Sequence, residues 1–199
     1  STACTDTSDC ETKCGSDSAC AGYTEGAPAM VKAWGDIPTG VFDNVVNLFS
    51  NDKAYAALKA DGSVQVWGNS GYGGTDPSIT SDVVKIYTNK YAFAALKSDG
   101  SVKTWGHTSN GGGAGAPAAG TNCQYNSDGE YVSGTDCTVD ITGNGYAFAA
   151  LKSDGSVKVW GHATYGGTDP SLTSTDNVLS IVGTHRAFAA LKSDGTVKA

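Results

Sequence analysis

One phrase, written four times, constrains what this chain can fold into. It reads Ala-Tyr-Ala-Ala-Leu-Lys-Ala-Asp-Gly-Ser-Val from Ala54 to Val64. It returns as Ala-Phe-Ala-Ala-Leu-Lys-Ser-Asp-Gly-Ser/Thr-Val from Ala92 to Val102, Ala147 to Val157 and Ala187 to Val197. The first three copies run on into Trp67-Gly68, Trp105-Gly106 and Trp160-Gly161; the fourth reaches Ala199 before any Trp-Gly. An Asp-Gly pair between apolar runs predicts a hairpin. A type I′ turn, with positive φ at both central positions, is the expected form at Asp61-Gly62, Asp99-Gly100, Asp154-Gly155 and Asp194-Gly195.

The run before each turn, such as Tyr91 to Leu96, is apolar on both faces of an extended strand and rich in Ala. Such a strand is sandwiched on both sides, with small residues where sheets approach closely. The run after each turn, such as Ser156 to Trp160, alternates as a half-exposed strand does. A third strand precedes each phrase, read from Val45–Phe49, Val83–Tyr87, Thr138–Ile141 and Val178–Val182. Each unit is then a small antiparallel sheet that cannot bury both faces alone.

Repeats occupy most of the 199 residues, which predicts one domain over 30–199 with an appended segment over 1–26. The 27 glycines and the 17% of charged residues suit short strands and tight turns. A net charge of −7, with lysines scattered along the repeats, argues against nucleic acid or an anionic membrane as the main partner. No apolar run approaches a membrane span. The chain begins at Ser1 without Met or an apolar leader, so either a signal peptide has been removed or the segment is excised.

Cys4, Cys10, Cys14 and Cys20 follow the spacing C-x5-C-x3-C-x5-C among Ser, Thr, Asp and Gly. A stretch this poor in apolar residues needs covalent staples, so two disulfides and an oxidising compartment are expected. Four cysteines permit three connectivities, and the sequence does not choose among them. Zinc is the alternative, but no C-x2-C pair and no nearby His supports it. Asp6, Asp9, Glu11 and Asp17 do not follow a calcium-loop pattern and read as a solvated acidic face.

Met30-Val31-Lys32-Ala33-Trp34-Gly35 is the second half of a repeat with no first half before it. Val197-Lys198-Ala199 begins a second half with the same three letters, Val-Lys-Ala. The units are therefore offset by half a repeat. Tyr72–Ser81 and Tyr165–Ser174 share a Tyr-Gly-Gly-Thr-Asp-Pro-Ser loop, while the third unit carries a Gly- and Ala-rich insert, residues 111–137, that holds Cys123 and Cys137. Those two cysteines are expected to close a third disulfide, and the insert is the main candidate for a variable contact surface.

Aligned, the units share Leu-x-x-Asp-Gly-x-Val-x-x-Trp-Gly, as at Leu151, Asp154, Gly155, Val157, Trp160 and Gly161. This pattern resembles the repeat of the regulator of chromosome condensation family, part of a superfamily that also includes a bacterial β-lactamase inhibitor protein. The resemblance covers residues 30–199. It implies an all-β, propeller-like array of short antiparallel blades, with the N-terminal strand of Val31, Lys32, Ala33 and Trp34 placed beside Phe188–Leu191, where Val197 begins the last blade's final strand. Those relatives typically have seven blades; four units are present here. Their exchange-factor activity does not carry over, because no matching functional residues are found. The same strand could instead complete a neighbouring molecule's last blade, a head-to-tail contact, or the segment could belong to a longer tandem array.

Candidate chemistry is sparse. His107 and His162 follow Trp-Gly where earlier units have Asp36 and Asn69, and His185 lies in an adjacent turn. No nucleophile motif accompanies them. Asp76-Pro77 and Asp169-Pro170 read as turn caps, and the Gly111–Gly115 run lacks the Lys-Ser/Thr of a phosphate loop. Neither a cofactor nor a metal is expected. The recurrent Trp34, Trp67, Trp105, Trp160, Tyr72 and Tyr165 could stack on sugars, but a residue repeated in every unit packs the unit. Thr75, Ser78, Thr80 and Ser81, with Thr168, Ser171, Thr173 and Ser174, form Pro-containing clusters that are candidate O-glycosylation sites. The expected function is that of a secreted, non-enzymatic structural protein self-associating head to tail into an extracellular filament or surface assembly. The alternative is a monomeric binding module that reads a protein or glycan through its loops.

Overall fold

The computed structural model describes residues 43–199. Four three-stranded antiparallel sheets follow one another along the chain, each in simple up-and-down order. The first blade is β1 (Val45–Ser50), β2 (Ala54–Lys59) and β3 (Val64–Gly68); the second is β4 (Val83–Thr88), β5 (Ala92–Lys97) and β6 (Val102–Gly106). A hairpin, β7 (Thr121–Tyr125) and β8 (Tyr131–Thr135), precedes the third blade, β9 (Thr138–Gly143), β10 (Ala147–Lys152) and β11 (Val157–Gly161). The fourth is β12 (Val178–Gly183), β13 (Phe188–Lys192) and the two-residue β14 (Val197–Lys198). This is the all-β blade array expected from the repeat. The segment 1–26, with Cys4, Cys10, Cys14 and Cys20, and the expected strand Val31–Trp34 lie outside the described residues.

The turns differ from expectation. Only the glycines adopt positive φ, at 76°, 80°, 80° and 82° for Gly62, Gly100, Gly155 and Gly195. In the first blade Gly62 N–H donates to the Lys59 carbonyl at 2.9 Å and Lys59 N–H to the Ser63 carbonyl at 3.0 Å. The loop is therefore a type I turn followed by a left-handed glycine bulge, not a type I′ turn. The cause lies in the aspartate: Asp61 Oδ1 accepts from both the N–H and the hydroxyl of Ser63, at 2.9 and 2.6 Å. The other three blades repeat this clasp with Asp99, Asp154 and Asp194. It rewards Asp at negative φ, which type I′ geometry forbids.

Blades pack face to face with a fixed polarity. Ala54, Ala56, Leu58 and Val64 of the first blade meet Ile86, Phe93, Ala95 and Trp105 of the second, with Ile79 between them. The alanines are what let the sheets approach, and all of β10 is buried. Trp105 stacks on Phe93 at 5.1 Å and donates from Nε1 to the Gly73 carbonyl of the preceding blade at 3.2 Å. Trp160 repeats this on Phe148 at 5.4 Å, with Gly111 as acceptor at 3.2 Å. Gly73 and Gly111 are left-handed, and a Cβ there would stand 2.8 and 2.6 Å from the Phe93 and Phe148 rings. No other residue fits the junction.

The insert is more ordered than a decorated loop. Cys123 and Cys137 are bonded, as expected, and the β7–β8 hairpin folds back along the blades. Lys85 of the second blade pairs with Glu130 at 2.6 Å, and Tyr125 donates to the Thr138 carbonyl at 2.7 Å.

Candidate interaction surfaces

The central strands β2, β5, β10 and β13 share one direction, which gives the array two rims. At the rim where they begin, Asn51, Asn89 and Asn144 act as clips. Asn89 Oδ1 accepts from the N–H groups of Tyr91 and Ala92, while its Nδ2 donates to the Asn110 carbonyl at 2.7 Å. Asn51 and Asn144 hold the Tyr72 and Tyr165 carbonyls in the same way, both at 2.7 Å. The clips tie each short 3-10 turn after Trp-Gly to the entry of its own central strand. In the fourth blade Thr184 stands in that position and its hydroxyl bonds locally, accepting from the N–H groups of Arg186 and Ala187.

This tethering gathers side chains that lie far apart in sequence. Tyr72 meets Tyr91 at 5.3 Å, Tyr91 meets Tyr146 at 5.4 Å, and Tyr146 meets Tyr165 at 4.7 Å. The histidines join the same row: His107 against Tyr91 at 6.0 Å, His185 against Tyr146 at 5.2 Å, and His162 stacked on Tyr165 at 4.6 Å. Lys53 lies over Tyr72 at 4.9 Å, Lys90 over Tyr91 at 5.7 Å, and Arg186 over Tyr165 at 5.0 Å. Burial, and then the adjoining Tyr146 hydroxyl, push the Tyr91 phenol above its ordinary range. Among the described residues His162 Nδ1 is buried with no hydrogen-bond partner. Sequence reasoning placed the three histidines in polar loops but did not see this row.

The opposite rim carries the Asp-Gly turns. The last lysine of each central strand pairs with an aspartate just ahead of its blade's first strand: Lys59–Asp43 at 3.0 Å, Lys97–Asp82 at 3.8 Å, Lys152–Asp136 at 3.1 Å and Lys192–Asp176 at 3.1 Å. The Ser156 hydroxyl and then its N–H hold Asp154 below the usual carboxylate range, and Ser63 and Thr196 do the same for Asp61 and Asp194.

Further apolar side chains are exposed on the first and fourth blades. Leu191 is 41% exposed and Val197 63%, whereas their counterparts Leu96 and Val64 are 0% and 6%. On the first blade's outer face Leu48 is 49% exposed, where Ile86 is 2%. Between the third and fourth blades lies a cavity of about 320 Å³ lined by Phe188, Gly166, Pro170 and Leu172. Phe188 and Gly166 are the counterparts of Phe148 and Gly111, so this is the place that a Trp160-like indole takes one junction earlier.

The packing reading of the tryptophans is right for Trp67, Trp105 and Trp160, all buried. Tyr72 and Tyr165 are instead half-exposed on the tyrosine rim. Asp76 and Asp169 do cap turns, accepting from Ser78 and Ser171 N–H at 2.7 Å. All eight candidate glycosylation positions are exposed. Three of their hydroxyls are engaged: Thr168 with the Ala163 carbonyl, Ser81 with Asp82, and Thr173 with Asp176. Among the described residues no three His, Cys, Asp or Glu side chains converge to hold a metal ion, and no helix is long and apolar enough to cross a membrane.

Solved structures share the architecture. Prp20, the yeast RCC1, in a crystal structure with Kap60 bound, superposes with a TM-score of 0.51 at 17% identity, over 77% of this chain and 42% of that one. The chain has an RCC1-type propeller fold. A second Prp20 structure from Saccharomyces cerevisiae gives 0.51 at 16% identity, over 77% and 43% of the two chains. The ectodomain of the Physcomitrella patens receptor kinase CR4 also gives 0.51, at 14% identity and over 77% and 40%. The chain thus spans less than half the length of these neighbours. No family model matches, and no curated protein does.

Proposed function

We propose that this chain is a secreted, non-enzymatic scaffold whose blades associate with other copies of itself, building an extracellular filament or surface assembly. The observation that carries the proposal is the indole that joins successive blades. Trp105 on Phe93 and Trp160 on Phe148 each bridge back to the blade before, and Met30–Gly35 carries a Trp-Gly with no Asp-Gly phrase ahead of it. Seating Trp34 of a second copy against Phe188, with Val31–Ala33 paired along β13, extends a heterologous contact from copy to copy. The Cys123–Cys137 bond fits an oxidising compartment. Prp20 binds Kap60 in its crystal structure, which supports a protein partner for such a fold.

Light scattering of the unreduced chain tests the reading through complementation. At about 1 M NaCl, where charge contacts between rims are screened, Trp34→Ala and Phe188→Ala are each expected to abolish assembly alone and to form a one-to-one dimer when mixed, because each retains one intact half of the contact. Assembly that persists in Trp34→Ala alone at that salt refutes it. The alternative, a module reading a protein or glycan through its loops, draws on the exposed Thr-Asp-Pro loops. O-glycans on them would appear in the intact mass as additions to the disulfide-bonded sequence mass.

A further inference from the structure

The two rims carry opposite charge. On the turn rim four lysines face eight aspartates: the four ahead of the blades, with which they pair, and Asp61, Asp99, Asp154 and Asp194 of the turns. Lys192 alone leans toward its turn acid as well, at 3.9 Å from Asp194. On the tyrosine rim, among the described residues, Lys53, Lys90 and Arg186 gather beside Asp52, which lies 3.6 Å from Lys90. The rims also repeat alike, since each blade places one strand start on one and one Asp-Gly turn on the other.

We infer that the tyrosine rim is a docking surface for the turn rim of a second copy, so that copies stack face to face along the propeller axis. The cations meet the turn carboxylates. The half-exposed tyrosines supply hydroxyl donors and flat apolar area at little cost in side-chain freedom. Charge complementarity of this kind fixes orientation and suppresses the wrong pairing, because tyrosine rim against tyrosine rim, or turn rim against turn rim, sets like charges together. The net charge of −7 repels copies at long range. At about 0.1 M salt, however, the Debye length of roughly 10 Å confines the interaction to the rims in contact. The inference rests on the self-association reading but uses neither the Phe188 socket nor Trp34.

The test is sedimentation velocity in the Trp34→Ala background, which removes strand completion, at about 0.1 M and about 1 M NaCl, where the screening length falls to roughly 3 Å. One variant neutralises the tyrosine rim with Lys53→Gln, Lys90→Gln and Arg186→Gln. The other carries Asp61→Asn, Asp99→Asn, Asp154→Asn and Asp194→Asn, each Asn keeping the oxygen that clasps its turn. The expected result is a salt-sensitive oligomer for Trp34→Ala, with association weakened at least tenfold in either variant. A Trp34→Ala chain that is monomeric at both salts, or an oligomer that neither variant weakens, overturns the inference. A wild-type chain that assembles at low salt alone would remove strand completion and leave rim stacking standing; assembly at high salt that depends on Trp34 would support strand completion whatever the rims do.

Discussion

Replacing the repeated phenylalanine by alanine at two equivalent positions measures how far each junction is filled. Phe148 is fully buried, stacked on Trp160 at 5.4 Å and closed over by Gly111. Phe188 has the glycine of the preceding blade against its ring but faces the cavity where an indole would lie, and it is half-buried. Removing a fully buried phenylalanine costs about 3–5 kcal/mol, from lost transfer energy and the cavity left behind. At about 2–4 °C per kcal/mol for a domain of this size, Phe148→Ala lowers the melting temperature by roughly 6–20 °C. Phe188→Ala forfeits about half the contact and opens into an existing void, so it costs about 1–2 kcal/mol, or roughly 2–8 °C. Both are measured by thermal unfolding at a dilution where light scattering shows a single chain, with hydrogen exchange reporting the blades separately. Equal losses at that dilution would show the Phe188 socket filled within one chain. The contrast between interior and terminal junctions, and the exchange of strands between copies, would both fall with it.

Three further outcomes follow from the geometry. Gly155→Ala places a Cβ 2.9 Å from Asn177 Cα in a left-handed turn, whereas Gly195→Ala meets nothing within 4 Å. Chemical denaturation should therefore rank the first well above the second, which bears only the left-handed penalty of about 1–2 kcal/mol. Asp154 is held below its ordinary range by Ser156, so its stabilisation is complete above the unfolded carboxylate value of about 3.9 and fades as pH falls through the lower folded value. Asp154→Asn should keep the turn while flattening the acid limb of a stability–pH curve below about pH 4. Paired Cys123→Ser and Cys137→Ser release a loop closed across 14 residues. The expected loss is up to about 3 kcal/mol, seen as faster exchange in β7 and β8 while β5 and β10 stay protected.

What the sequence revealed and what it concealed divide along contact range. Strands β1 through β6 and β9 through β13 could be read because apolar runs and Asp-Gly pairs are local signals, whereas the β7–β8 hairpin of the insert was read as a loop; both the Cys123–Cys137 bond and the two-sided burial of β5 and β10 were expected. The turn type was misread because Asp-Gly alone does not distinguish I′ from a type I turn with a bulge; the Ser or Thr after the glycine, whose hydroxyl the aspartate holds, was the missed sign. The tyrosine row was hidden for a different reason. Tyr72 and Tyr91 become neighbours only when blades stack and Asn51 pins the turn that carries Tyr72. The signal was present as an asparagine recurring three residues before the first alanine of the phrase, at Asn51, Asn89 and Asn144 but not at Thr184.

The indole-to-glycine bond between successive blades bears on how such an array changes length. Trp105 reaches back to Gly73 and Trp160 back to Gly111, so the second unit offers a donor on one side and an acceptor on the other. A unit copied in frame arrives with both halves of that bond and creates no unfamiliar junction, wherever in the series it lands. Gain or loss of whole repeats is then a far gentler change than substitution of a single glycine at the joint, and divergence in this architecture should run through unit number and insert length before it touches the hinge residues.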